Sequence, residues 1–226
     1  MRDKLFTVGF MIALAAVFTT GVSGVHLATR ERIALNNKLK QRRVVMDVLG
    51  VEVPPDADLK AIDSLYDKHV QETGIFLDLE ERRRPVFQGV TADGQVTGYA
   101  FEIGGRGFWD AIRGYLAVSP DLKTIQGIAF FEQSETPGLG AEIEKPWFRE
   151  QFAGKAIPAE ADAKGRLIRF MPPGAVQPLG SELGPHDVDA ITGATGTSRA
   201  VEVFLNRDLR RFLDLMPAEP SRDEGS

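Results

Sequence analysis

A chain of 226 residues, 43% hydrophobic and 26% charged, has the composition of a folded protein with one core and room for an appended segment. Its formal net charge of -5 argues against the basic surface that nucleic acid demands, so no nucleic-acid partner is expected. Cysteine is absent, which excludes disulfides, Cys-ligated zinc and cysteine-held iron–sulfur clusters, and His26, His69 and His186 lie too far apart for metal-ligand spacing, so no metal site is expected either.

After a tail of residues 1–4, residues 5–25 carry no charged side chain. That run is long enough to cross a bilayer, which takes about 20 residues as a helix. Arg2 and Lys4 precede it; Arg30 and Arg32 follow. A transmembrane helix over residues 5–29 is predicted, with membrane lipid as its surroundings. A cleaved signal peptide is the rival reading, because Val22-Ser23-Gly24 supplies small residues, but the run exceeds a usual signal core. Lys38, Lys40, Arg42 and Arg43 favour a cytoplasmic location for the chain beyond the helix, whereas large domains translocate largely regardless of charge. Charge alone leaves the orientation open.

Residues 30–80 read as a helical connecting region. Residues 33–49 form an amphipathic helix stopped at Gly50, Pro54-Pro55 mark a break, and a second helix covers 59–70 with Asp56 or Asp58 near its cap. Glu80-Glu81-Arg82-Arg83-Arg84 reads as a solvated turn or strand entry. From residue 85 the pattern is β-rich. Strands over 85–91 and 95–103 flank Asp93-Gly94, and strands over 111–118 and 124–131 flank Ser119-Pro120-Asp121, both hairpin signals. A short helix over 146–152 is anchored by Trp147, Phe148 and Phe152, and 167–171 is a further strand. Pro172-Pro173-Gly174 and residues 178–185 are loop. Residues 199–215 form a helix with Val203, Phe204 and Phe212 in the core, and 218–226 are a flexible tail. The fold class is α+β: an antiparallel sheet with packed helices over 81–217, plus one N-terminal transmembrane helix.

Chemistry concentrates in Asp189-Ala190-Ile191-Thr192-Gly193-Ala194-Thr195-Gly196-Thr197-Ser198. Small residues let backbone approach a bulky ligand. Thr197 or Ser198 is a candidate cap for the helix behind them, and a helix N-terminus attracts anions. The segment therefore reads as a hydroxyl-lined phosphate site, with an ordinary capping turn as the plainer alternative. A second loop, Glu135-Thr136-Pro137-Gly138-Leu139-Gly140, follows a strand and offers Leu139 to a flat aromatic ring.

The first segment resembles the Asp-x-x-Ser/Thr-Gly-Ala-Thr motif of the FMN-binding domain family. The second resembles that family's Glu-Thr-Pro-Gly-Leu-Gly loop beside the flavin. Gly105-Arg106-Gly107-Phe108-Trp109 through Gly114-Tyr115-Leu116-Ala117 is a third match. Within the family the chain is similar to the C subunits of sodium-pumping NADH:quinone oxidoreductases and to the G subunits of Rnf complexes. The resemblance implies FMN joined covalently to Thr195 by a phosphoester, put there by a flavin transferase. Glu135, Thr136, Gly138, Leu139, Asp189, Thr192, Gly193, Ala194, Thr197 and Ser198 are the candidate cofactor-binding residues. Thr192 and Ser198 are candidates for the phosphate, Asp189 for positioning the loop or assisting a divalent ion during attachment, and Arg106 and Lys145 for offsetting charge. It further implies an electron-carrier subunit among other subunits of a membrane redox complex coupled to ion movement. The chain would sit in the inner membrane with its flavin domain on the periplasmic side. No catalytic residue is expected in the chain itself, which lacks a nicotinamide fingerprint. The alternatives are an Rnf-type subunit or stand-alone flavinylated carrier, an anchored binding or assembly module without flavin, and a hydrolase with Thr195 as nucleophile. Against the last, no His or Lys lies in the loop to act as base.

Overall fold

The structure is a computed structural model that describes residues 2–79, 82–174 and 184–216. The expected tail over 218–226, residues 178–183 of the expected loop, and Glu80 and Glu81 of the charge run lie outside them. The chain divides into two compact units, the first ending at Lys40 and the second starting at Gln41.

Helix α1, Arg2–Val48, is one uninterrupted α-helix of 47 residues. The sequence predicts two helices here. They merge because neither proline nor glycine occurs between His26 and Val48, so nothing breaks the hydrogen-bond ladder. In the first unit an 18-residue window of α1 has mean hydropathy 2.1 and none of it is buried. Leu5, Phe6, Phe10, Ile12 and Phe18 all stand exposed. This is a helix long and apolar enough to cross a membrane.

The second unit is built on a five-stranded antiparallel meander in the order β1-β2-β3-β4-β5: Val70–Leu79, Arg82–Val90, Val96–Arg106, Ala111–Val118 and Ile125–Glu132. Both expected hairpins are present, β2–β3 and β4–β5. Strand β1 corrects the reading of 30–80 as a helical connecting region, since the last ten described residues there are a strand. Its N-terminal half, Gln71 to Gly74, is mostly polar and open to solvent, so the apolar alternation of a half-buried strand is missing there. Pairing with β2 decides its conformation instead. Short α2, Leu59–His69, precedes it, and Asp58 caps α2 by accepting from the Ala61 amide at 2.8 Å.

Both faces of the sheet are covered. On one, Val45, Met46, Val48 and Leu49 are buried, with Leu49 beside Gly89 and Val48 beside Gly127. Tyr66 of α2 meets Phe87 edge-on. On the other lies a C-terminal helix, Thr195–Leu215, where the rings of Phe101 and Phe212 stack at 4.2 Å between centroids. Complete burial of such side chains stabilises by about 1.5–3 kcal/mol each. Asp208, fully buried on this helix, accepts from the Gly104 amide at 3.1 Å and pairs with Arg207 at 2.7 Å, which fixes the helix along β3. Burial nevertheless raises its carboxyl above the usual aspartate range, against the pull of Arg207 and the Gly104 amide.

Two expected core positions differ. Phe204 and Phe212 are buried, but Val203 is 60% exposed because it falls off the stripe formed by Val201, Phe204, Leu205, Asp208, Leu209 and Phe212. Trp147 is also exposed, unlike Phe148 and Phe152, and its indole donates to Glu142 at 3.0 Å. The expected helix over 146–152 is α3, Pro146–Arg149, continued by a 3-10 turn at Glu150–Phe152. Strand β6, Arg169–Met171, pairs in parallel with β7, Asp187–Asp189, and the chain runs from β7 into the C-terminal helix, α4.

Candidate functional site

Three loops converge at one end of the sheet. The first is the β3–β4 turn. The Gly107 amide closes it by donating to the Asp110 carbonyl at 2.8 Å, leaving Phe108 and Trp109 at the tip, 63% and 62% exposed. The second follows β5. The Thr136 carbonyl accepts from both Leu139 and Ala141 at 3.1 Å, which curls the proline–glycine segment into the 3-10 turn Gly140–Glu144. The third joins β7 to α4. Gly193 takes φ +74°, a conformation a Cβ would disfavour, and the Ala194 amide then reaches the Ile191 carbonyl at 3.1 Å.

Glu135 ties the three together. It is buried, its Oε1 accepts from the Trp109 amide at 3.0 Å, and its Oε2 accepts from the Thr197 hydroxyl at 2.5 Å. The Trp109 indole adds a bond to the Thr136 hydroxyl at 3.0 Å. A Cβ on Gly140 would lie only 2.5 Å from Thr197 Oγ1 and 2.7 Å from Glu135 Oε2, so only glycine lets the loops close this far.

Thr195 is the first residue of α4 and is exposed. Ala194 precedes it as N-cap without any side-chain cap bond. Thr197 and Ser198 therefore do not cap the helix as expected. They lie within its first turn, both buried, and their hydroxyls serve the protein: Thr197 binds Glu135, and Ser198 Oγ accepts from the Ile191 amide at 3.0 Å. The Ser198 amide bonds to Ala194 O at 2.9 Å, whereas the Thr195, Gly196 and Thr197 amides precede the first intrahelical bond and form the positive end of the helix dipole.

A cleft of about 280 Å³ separates the loops. Of the candidate residues, Thr195, Gly193, Ala194, Thr197, Glu135, Thr136 and Leu139 line it, together with Phe108 and Trp109. Gly138 shapes the turn with φ +73° without lining the cleft. Asp189, Thr192 and Ser198 are not brought to it. Asp189 is buried in β7 with its amide bonded to Gln151 Oε1 at 2.7 Å, and Thr192 is exposed. Neither Arg106 nor Lys145 lines it. Ser198 instead borders a groove of about 820 Å³ on the far side of Thr195, which itself lines both spaces.

Phe108 and Trp109 join the site although the motifs do not assign them to the cofactor. Their signal is two adjacent aromatics on a glycine-flanked turn, apolar surface with no core to enter. With Leu139, 41% exposed, they place apolar area in water around an exposed hydroxyl at a helix N-terminus. That donor set fits a flat aromatic ring carrying a phosphate: apolar walls for the ring and an alcohol beside amide donors for the anion. The cleft lies near the small end of ligand pockets, about 300–1,000 Å³, which suits the ring portion alone.

Comparison with known proteins agrees with this chemistry. The FMN-binding domain family matches residues 107–209. The C subunit of the Na(+)-translocating NADH-quinone reductase of Vibrio alginolyticus is 30% identical over 232 residues, covering 87% of this chain and 86% of that protein. Its counterpart in Neisseria meningitidis serogroup A is 34% identical over 153 residues, covering 68% of this chain but 50% of that protein. Among solved structures, the C subunit from Parabacteroides distasonis has a TM-score of 0.63 at 28% identity, covering 84% of this chain and 98% of that one. The NqrC structure from Shewanella oneidensis, at 23% identity and TM-score 0.61 over 78% of this chain and 98% of that one, shares the fold. The chain belongs to the family of C subunits of the Na(+)-translocating NADH-quinone reductases, oxidoreductase subunits with an FMN-binding domain.

Proposed function

We propose that this chain is a membrane-anchored electron carrier whose FMN is held covalently by a phosphoester to Thr195. The observation that supports it most directly is the exposed Thr195 residue on the rim of a cleft walled by Phe108, Trp109 and Leu139. When bound, the flavin supplies the redox chemistry, while the protein supplies placement and electrostatics. Thr195 fixes the phosphate end. The first amides of α4 offset its charge. Glu135 and Thr197 keep the three loops closed, and the two aromatics with Leu139 hold the ring side away from bulk water. A covalent tether retains the cofactor on a domain outside the cytoplasm, where a dissociated one would be lost to dilution.

In this reading α1 is a single span in the inner membrane, in contact with lipid, and the flavin domain faces the periplasm. A flavin transferase matures the chain, and other subunits of the Na(+)-translocating NADH-quinone reductase donate and receive its electrons. The test is the intact mass of the chain coexpressed with a flavin transferase. Wild type gains the mass of one FMN phosphoester and stays yellow after denaturation, and Thr195→Ala loses both signals. An unmodified wild-type mass under those conditions overturns the proposal.

A further inference from the structure

We propose that Arg199 is the side chain that binds the phosphate carried at Thr195, an inference that rests on the flavin reading of the site. The two residues are four apart on α4, so they lie on one face of the helix, one turn apart. Side chains on a helix lean toward its N-terminus and cover the turn before their own Cα. Arg199 therefore covers the turn that starts at Thr195. Both residues are exposed, and both line the 820 Å³ groove.

The other cations of that groove are engaged or more distant in sequence. Arg166 is held by Asp162 at 2.7 Å and by Glu202 at 3.3 Å, and Arg210 donates to the Gly165 carbonyl. Lys164 lies on a different segment. Glu202, the acid three residues after Arg199, is taken by Arg166 and by the Phe170 amide at 2.9 Å. Among the described residues the Arg199 side chain has no hydrogen-bond or ion-pair partner. An unpaired guanidinium over an alcohol that receives a phosphate offers the planar fork suited to two phosphate oxygens. The division of labour follows from Thr195 lining two spaces: ring toward the aromatic cleft, phosphate toward the cationic groove.

The experiment is a cycle between the ester and the arginine on the full-length chain in detergent, coexpressed with a flavin transferase. Wild type, Arg199→Gln, Thr195→Val and the double variant are compared, with loading read by intact mass and stability by thermal midpoint. The flavinylated wild type melts above Thr195→Val, and in Arg199→Gln that increment shrinks by about 2–4 °C. Arg199→Gln changes nothing on the Thr195→Val background, Arg199→Lys restores part of the increment, and about 1 M salt removes the difference, since screening there acts within about 3 Å. Equal increments in the loaded wild type and the loaded Arg199→Gln variant overturn the role of Arg199 while leaving the flavin in place. Absence of flavin from the wild type overturns the reading of the site itself, and the arginine's role with it.

Discussion

The Thr197 hydroxyl donates to the Glu135 carboxylate at 2.5 Å across 62 positions of sequence, joining the first turn of α4 to the loop that follows β5. The same carboxylate accepts from the Trp109 amide at 3.0 Å, so one buried acid links three loops. Glu135→Ala leaves a buried hydroxyl and a part-buried amide without their acceptor, each costing about 1–3 kcal/mol. Glu135→Gln keeps one acceptor oxygen and falls between the two. Urea unfolding should therefore rank wild type above Glu135→Gln above Glu135→Ala. An alanine variant with the wild-type midpoint would show that the loops are held by something else.

Gly140 makes that linkage possible, and a methyl group there is the narrower test. Its Cβ would collide with both partners of the Thr197–Glu135 bond, at 2.5 and 2.7 Å. Overpacking of this kind costs about 1–3 kcal/mol. Gly140→Ala combined with Glu135→Ala should be less than additive, because each change breaks the same contact. Full additivity in a double-mutant cycle on the unfolding free energies would separate the two.

Those loops are largely readable in the sequence; the way they are fastened is not. Asp93-Gly94 and Ser119-Pro120-Asp121 announce the hairpins because turn chemistry is local. Thr195 stands out among small residues ahead of a helical pattern. Thr197 and Ser198 look like caps because a hydroxyl near a helix start usually is one, but here tertiary partners claim both. Buried Asp208 is invisible to hydrophobic periodicity, since a charge at a core position reads as a surface residue, while exposed Val203 reads as core. Strand β1 is polar over Gln71 and Glu72 and relies on its β2 partner, a long-range fact that no window of sequence contains.

The chain has only two tryptophans, Trp109 and Trp147, which makes the location of the ring measurable. Trp109 lines the cleft beside Thr195, whereas Trp147 lies after the 3-10 turn bonded to Glu142. With Trp147→Phe as background, the remaining emission comes from Trp109 alone. Loading with FMN should quench most of it, and Thr195→Val, unable to load, should restore it. Unquenched Trp109 in a fully flavinylated chain would put the ring in the larger groove on the other side of Thr195.

Glu102 gives the domain a pH dependence of predictable sign. It is buried on β3, with Arg84 at 3.2 Å. Burial raises its carboxyl above the usual glutamate range, outweighing the opposing pull of Arg84 and Arg113. The native state consequently holds the Glu102 proton more tightly than the unfolded chain, whose glutamates titrate at about pH 4.3. More protons bound in the native state means that stability falls as pH rises, starting near the unfolded value and ending once the raised native value is passed. Glu102→Gln has no proton to lose. Its stability relative to wild type should therefore be more favourable at about pH 7 than at about pH 4, as read from urea midpoints of the two proteins in the same detergent. A relative stability that is constant, or that moves the other way, would mean that Arg84 and Arg113 outweigh the cost of burying the charge.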